Sequence, residues 1–314
     1  MALPGAPRRT LLERLDRFRR NYLSGYLFIS PWLIGFIVFT LGPFIMSLYL
    51  SFTDYTIVTR PVWVGLDNYV KLFTDDPYFT KTLFNTLYYV IFHVPGVQII
   101  SLILALMLAQ DLKGISIYRT LFYLPTVTTG VATAILWQWI FNTQFGVINI
   151  ALSKIGITGP GWLTTRTWAM PSLIIMSMWG VGSPMIIYLA GIKNVPESLY
   201  EAAEIDGAGR WRQFFSITLP LITSSIFYNA TIGIIGSFQV FTQAYVITKG
   251  GPADATLFYV LYLYRTAFEN LRMGYASALA WILFLIIMFF TFIQLSMAKH
   301  WVYYESARDD GGVV

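Results

Sequence analysis

A chain of 314 residues that is 56 % hydrophobic, 12 % charged and of mean hydropathy +0.61 cannot coat a globular surface with polar groups, since soluble domains run near about 25 % charged. It contains no cysteine, which excludes disulfides, thiolate metal sites and a cysteine nucleophile. The net charge of +5 is scattered at the ends of apolar runs rather than gathered in a patch, so a bilayer, not nucleic acid, is the expected partner.

An arginine-rich start, Arg8, Arg9, Arg14, Arg17, Arg19 and Arg20, precedes the first apolar run. That run is too long for the core of a signal peptide and has no small-residue cleavage pattern after it, so it reads as a span. A hydrocarbon core of roughly 30 Å needs about 20 apolar residues in a helix. Six runs qualify: Tyr26–Ser51, Leu83–Gln110, Arg119–Phe141, Trp168–Ile192, Leu219–Ile247 and Tyr275–Ala298. Apart from Arg119 at one edge, they hold no Asp, Glu, Lys or Arg. Their ends carry Trp137, Trp139, Trp162, Trp168, Tyr245, Tyr275, Trp301 and Tyr303, as in an aromatic belt at the membrane surface. The predicted fold is an all-α membrane protein of six transmembrane helices.

Between the first two spans, Leu66, Tyr69, Val70 and Phe73 fall at helical spacing, which predicts a short helix lying on the outer surface. Pro95, Pro125, Pro171 and Pro184 lie inside spans and predict kinks around a shared interior. The tails and the two loops on their side, with Arg119, hold 13 Lys and Arg, against 8 in the other three loops. Both termini are therefore expected in the cytoplasm. The expected layout is a cytoplasmic tail over 1–24, a membrane domain over 25–299 and a second cytoplasmic tail over 300–314.

Much chemistry is missing. There is no G-x-x-x-x-G-K-[ST], so no phosphate-cradling loop. The two histidines, His93 and His300, lie in no metal-binding pattern, so no metal site and no catalytic residue is expected. His93 reads as a neutral imidazole hydrogen-bonded between helices, in preference to a proton relay. The spans offer amides, Asn85, Gln98, Gln138, Asn229, Gln239 and Gln243, rather than the intramembrane charges that ion-coupled carriers usually keep. The energy for any transport is thus expected from outside the chain.

One segment breaks the apolar rhythm. "LYEAAEIDGAGRWRQFFSITLPLI" follows the fourth span and carries Glu201, Glu204, Asp206, Arg210 and Arg212. Pro196 suits a first helical turn and Glu197 the N-terminal dipole end, while Gly207 is a natural stop. Glu197, Glu201 and Glu204 share one face of this helix, with Leu199, Ala202 and Ala203 on another. A second short helix with Arg210, Trp211, Arg212, Phe214 and Phe215 follows, and Leu219-Pro220 opens the fifth span. Composition leaves open whether this helix–turn–helix docks on another protein or packs on its own bundle.

The spacing of Glu201-Ala202-Ala203, Gly207 and Ile217-Thr218-Leu219-Pro220 resembles the EAA loop of ABC importer permeases. "IVFTLGPFIMSLYLSFTDY", "VGLDNYVKLFTDDPYF", "NTLYYV", "YRTLFYLP", "ILWQWIFN", "GVINIAL", "TKGGPADAT" and "GYASALAW" extend the resemblance to most of the chain and place it near the maltose- and lactose-type sugar permeases, in the shorter lactose-like form. The resemblance implies a type I ABC importer permease fold in a bacterial inner membrane. It also implies a second permease subunit, a cytoplasmic ATPase dimer that binds ATP and Mg, and an extracytoplasmic sugar-binding protein. No cofactor is implied for this chain itself. The coupling loop would span 193–220, with Glu201, Ala202, Ala203, Asp206, Gly207, Ile217, Leu219 and Pro220 at the motif positions. The same resemblance points to "MSMWGVGSPMI" and "IGIIGSFQVFTQ" for sugar contacts, giving Ser177, Trp179, Gly180, Ser183, Gly233, Ser237 and Gln239 as candidates. Ser237 and Gln239 stand where the maltose pattern has asparagines. Small residues that simply pack helices together account equally well for each glycine and serine taken singly. A stand-alone carrier, or a glycerol phosphate permease of the same family, is the alternative reading.

Overall fold

The computed structural model describes residues 24–110 and 112–303. The arginine-rich start and most of the predicted C-terminal tail lie outside the described residues.

Three helices are long and apolar enough to cross a membrane alone: α1 (Gly25–Ser51), α3 (Pro77–Leu108) and α13 (Met273–Trp301). Each of the other three predicted spans is a pair of helices meeting at a sharp bend. Helices α4 (Ile115–Val127) and α5 (Gly130–Ile140) meet at 101°, α7 (Arg166–Gly180) and α8 (Gly182–Lys193) at 46°, and α10 (Arg210–Leu221) and α11 (Thr223–Phe238) at 65°. Shorter helices are α2 (Asp67–Thr74), α6 (Val147–Lys154), α9 (Glu197–Ile205) and α12 (Tyr259–Tyr264). The only sheet among the described residues is a two-stranded hairpin, Thr53–Asp54 with Val62–Trp63.

Proline chemistry explains most of these shapes. Pro184 has no N–H to offer the carbonyl of Gly180, and α7 tightens into a 3-10 turn at Met178–Gly180 just there. Pro43 and Pro220 are each preceded by a π turn, Ile37–Leu41 and Phe214–Thr218. The wide turns close with Gly42 N–H on Ile37 O and Leu219 N–H on Phe214 O, absorbing the bond that the following proline cannot make. Pro220 therefore does not open the fifth span, as the sequence suggested. It lies near the end of α10, and the span turns at Ile222 before α11 begins. Pro95 departs from expectation in the other direction, because α3 runs unbroken through it.

Arg119 leaves the hydrocarbon problem by geometry. Its guanidinium donates to the carbonyl of Leu108 at 2.7 and 3.2 Å, satisfying the exposed C-terminal end of α3 with a cation. On the opposite side, α2 forms as predicted. Leu66, Val70 and Phe73 are exposed while Asn68 and Leu72 are buried. Asn68 donates to the carbonyls of Ser51 and Thr53, both at 2.9 Å, and so splices the end of α1 onto α2. Gly274 stands where α13 crosses that junction. A Cβ there would meet Thr53 O at 2.0 Å, so only glycine allows the crossing.

Three helices are tied together at one carboxylate. Asp76 caps α3 by accepting from the amides of Tyr78 at 2.9 Å and Phe79 at 3.3 Å. Its other oxygen accepts from the phenols of Tyr262 and Tyr275, each at 2.6 Å. Burial and the bond to Asp76 push the Tyr262 phenol above its ordinary value, so it remains a donor at neutral pH. Nearby, Asn85 braces the loop 249–258 through the carbonyls of Asp254 and Leu257, and Lys81 pairs with Asp254 at 3.3 Å.

Asp76→Ala removes a helix cap and the shared acceptor of two phenols, at a cost of about 2–4 kcal/mol. Thermal unfolding in detergent should show a drop of several degrees, with Asp76→Asn, which keeps a capping oxygen, falling between. A wild-type midpoint for Asp76→Ala would rule out this carboxylate as the tie.

Candidate functional site

Two features stand out, and one continuous stretch of chain joins them. The first is the charged segment. Helix α9 has no buried residue, and Glu201 and Ala202 lie on its exposed side, with Ala203 half-buried. Pro196 sits at the N-cap, one position before the predicted first turn. Gly207 ends the helix at φ +72°. The Ala208 amide then reaches back to the Ala203 carbonyl at 2.8 Å and that of Gly207 to Glu204 at 3.0 Å, the paired bonds of a glycine-terminated helix. Asp206 is the last helical cap position, Ile217 and Leu219 are half-buried, and Pro220 is exposed.

Sequence reasoning missed the apolar part of this surface. Ile205 is 87 % exposed and Trp211 78 % exposed, far beyond what a loop packed on its own bundle would leave open. Trp211 stacks on Phe215, and Phe215 meets Phe214 edge-on. Acids, small residues and uncovered rings thus form one patch. The hydroxyl pair Tyr200–Thr218, 2.8 Å apart, clamps α9 to α10, so the two helices present a rigid unit.

The second feature is a cavity of about 740 Å³. All seven sugar-contact candidates line it: Ser177, Trp179, Gly180 and Ser183 from the α7–α8 break, and Gly233, Ser237 and Gln239 from the end of α11. The fifth predicted span loses its α-helical form at Gln239–Phe241 and resumes as a π turn over Ala244–Thr248. Both candidate stretches therefore sit where a membrane helix is broken. Backbone at such depth is tolerated only where protein or a cavity receives it.

Within the cavity the candidates differ in availability. Trp179 is 46 % exposed and leans edge-on against Trp137 with centroids 5.8 Å apart. Ser183 and Gln239 are exposed to the space, and a side chain at Gly180 would meet nothing within 4 Å. Ser237 is different. It is buried, and its hydroxyl turns back to the Gly233 carbonyl. Gly233 itself faces Gln98 and Val94 of α3, so these two positions shape the wall.

Sequence reasoning did not place α3 and α5 in the cavity, yet His93, Gln98 and Thr133 line it. His93 meets the Ser177 hydroxyl on α7 at 2.6 Å, the interhelical bond read from the sequence. Gln98 accepts from Tyr188 of α8, and Asn229 of α11 donates to Pro184 O at 3.2 Å. Asn85, grouped with these amides in the sequence, instead holds the outer loop. No lining residue is Asp, Glu, Lys or Arg. The wall offers aromatic faces, hydroxyls and amides, a chemistry suited to binding rather than bond making.

Comparison with known proteins agrees with this geometry. The profile described as "Binding-protein-dependent transport system inner membrane component" matches residues 79–301. The chain is 46 % identical to the probable ABC transporter permease protein YesP of Bacillus subtilis, over 95 % of this chain and 97 % of that one. It is 36 % identical to the lactose transport system permease protein LacF of Rhizobium radiobacter, covering 90 % and 96 %. Among solved structures it superposes with TM-score 0.80, at 26 % identity, on a chain of a bacterial alginate ABC transporter in complex with alginate pentasaccharide-bound periplasmic protein, covering 90 % of this chain and 96 % of that one. The chain is a member of the binding-protein-dependent ABC transporter permeases, a family of inner-membrane components.

Proposed function

We propose that this chain is a membrane-spanning permease subunit of a sugar importer, opening the 740 Å³ cavity alternately to either side of the membrane. The observation that carries the reading is the meeting of all seven candidate residues at two helix breaks around one uncharged cavity. Relatives named for lactose, for starch degradation products and for arabinooligosaccharides support a saccharide as cargo. A glycerol phosphate would call for a cation to receive it, and the cavity wall has none.

Energy would come from a separate ATPase dimer docked on α9. The exposed Glu201 and Ala202, the uncovered Ile205 and Trp211 and the tight turn at Gly207 support that assignment. A binding protein would deliver the sugar to the outer face, a reading supported by the complex of the alginate relative with its periplasmic protein. The exposed apolar length of α1, with no buried residue before Ser51, supports a second permease subunit or lipid along that side. The basic bias of the sequence supports a cytoplasmic position for both termini.

Co-purification with a cognate importer ATPase subunit, followed by activity in liposomes, tests the docking. The wild type should retain the ATPase, and its activity should rise with loaded binding protein. Gly207→Asp should lose association or at least tenfold of the stimulated activity, because it places a side chain at φ +72° in the middle of the surface. Glu201→Ala should weaken coupling to a smaller degree. Identical behaviour of all three proteins would end the docking reading.

The cavity is tested separately. Trp179→Ala and Gln239→Ala should lower sugar uptake about fivefold or more, the scale of one lost contact of this kind, while the ATPase remains bound. Uptake equal to wild type in both variants would move the sugar site elsewhere.

A further inference from the structure

His93 stands on α3 in the cavity wall, against the α7–α8 break that supplies four of the sugar-contact candidates. Its ring lies nearly parallel to that of Tyr89, with centroids 4.9 Å apart and planes at 13°. Nδ1 is 2.6 Å from the hydroxyl of Ser177, and the same hydroxyl is 2.6 Å from the carbonyl of Ile174. A serine hydroxyl has one proton and two lone pairs. The Ile174 carbonyl can only accept, so the hydroxyl proton goes there. Nδ1 must then donate, since otherwise two lone pairs would face each other at 2.6 Å. This fixes the tautomer: the proton is on Nδ1 and Nε2 carries a free lone pair.

Nε2 meets no hydrogen-bonding atom among the described residues, and it is not among their buried unpaired atoms. Nε2 is thus an accessible acceptor on a residue that lines the cavity. We infer that His93 is a sugar-contact residue whose Nε2 accepts a hydrogen bond from a saccharide hydroxyl, with Ser177 and Tyr89 holding the ring in place. The inference rests on the cavity being the sugar site. The serine bond alone asks only for a donor at the Nδ1 position, which an asparagine would supply. What the imidazole adds is an acceptor with no proton of its own, selective for cargo bearing a free hydroxyl over the corresponding deoxy or ether position.

Two substitutions separate these roles. His93→Asn keeps a donor toward Ser177 and removes the acceptor facing the cavity. His93→Gln carries an amide near the Nε2 position and gives up the bond to Ser177. Both are assembled with the partner subunits in proteoliposomes and assayed for uptake of lactose, maltotriose and arabinotriose. In parallel, modification of wild-type His93 by diethyl pyrocarbonate is followed by mass spectrometry during turnover with each sugar, with the exposed His300 as internal control. The expected result is that a transported sugar slows modification of His93 severalfold and leaves His300 unchanged. His93→Asn should lower uptake of that sugar about five- to tenfold, the range of one neutral hydrogen bond, and His93→Gln less than about threefold by the same scale. Wild-type transport with unprotected His93, or uptake by His93→Asn equal to wild type, overturns the contact while leaving the sugar reading in place. Failure of the wild type to take up any of the three overturns the sugar reading and this inference with it.

Discussion

Hydrocarbon offers no partner to a peptide group, so each amide and carbonyl inside the bilayer must be satisfied by the protein. That requirement governs this structure more than any side-chain packing. Where proline removes an amide, the chain answers locally. Wide turns precede Pro43 and Pro220, and a tight turn sits four residues before Pro184. Where the helix is broken outright, neighbours intervene. Ser101 donates to Val181 O at 3.0 Å and Asn229 to Pro184 O. The polar side chains within the spans are therefore spent partly on repairing the backbone, and the breaks they permit open onto a single cavity.

The same chain connectivity gives a mechanical account of the proposed coupling. Helix α8 begins at the cavity with Ser183 and Pro184 and ends three residues before α9. Helix α10 leaves α9 through the glycine turn and continues across the bend at Ile222 into α11, whose far end carries Ser237 and Gln239. Both cavity walls are thus continuous with the one surface segment. The Tyr200–Thr218 bond makes that segment a stiff lever rather than a loose loop. On the proposed reading a force applied to α9 reaches the two helix breaks through connections of only three and four residues.

Much of this was legible in the sequence, and the parts that were not have physical reasons. Run length and missing charge gave six apolar crossings, but not that Arg119–Phe141 folds through 101°. Hydropathy does not see direction, and a corner in an apolar run leaves no compositional trace. Proline positions signalled bends without fixing them. Pro95 lies in a helix that continues unbroken, whereas Pro184 coincides with a break. The difference lies in which neighbours pack alongside, a tertiary property. The proposed coupling residues come from the resemblance to the EAA loop, while the helix stop at Gly207 was readable because a turn at positive φ favours glycine. His93 was readable as an interhelical bond, but the face it turns to the cavity depends on where α3 passes the α7–α8 break, and only the fold places it there.

The absence of charge from the cavity wall bears on how such a subunit can be driven. A carrier coupled to protons or ions keeps an ionisable group where its cargo binds, at a cost of about 2.5–3.5 kcal/mol on insertion scales. Here the wall carries rings, hydroxyls and amides with no Asp, Glu, Lys or Arg, and His93 is its one imidazole. On the proposed reading the two access states are selected by work done elsewhere on the chain. The α9–α10 surface, which exposes acids, small side chains and uncovered aromatics, is where such work would act. On that reading a cavity without charged side chains and an exposed docking surface belong to the same design, since the second is where energy supplied by another chain can enter.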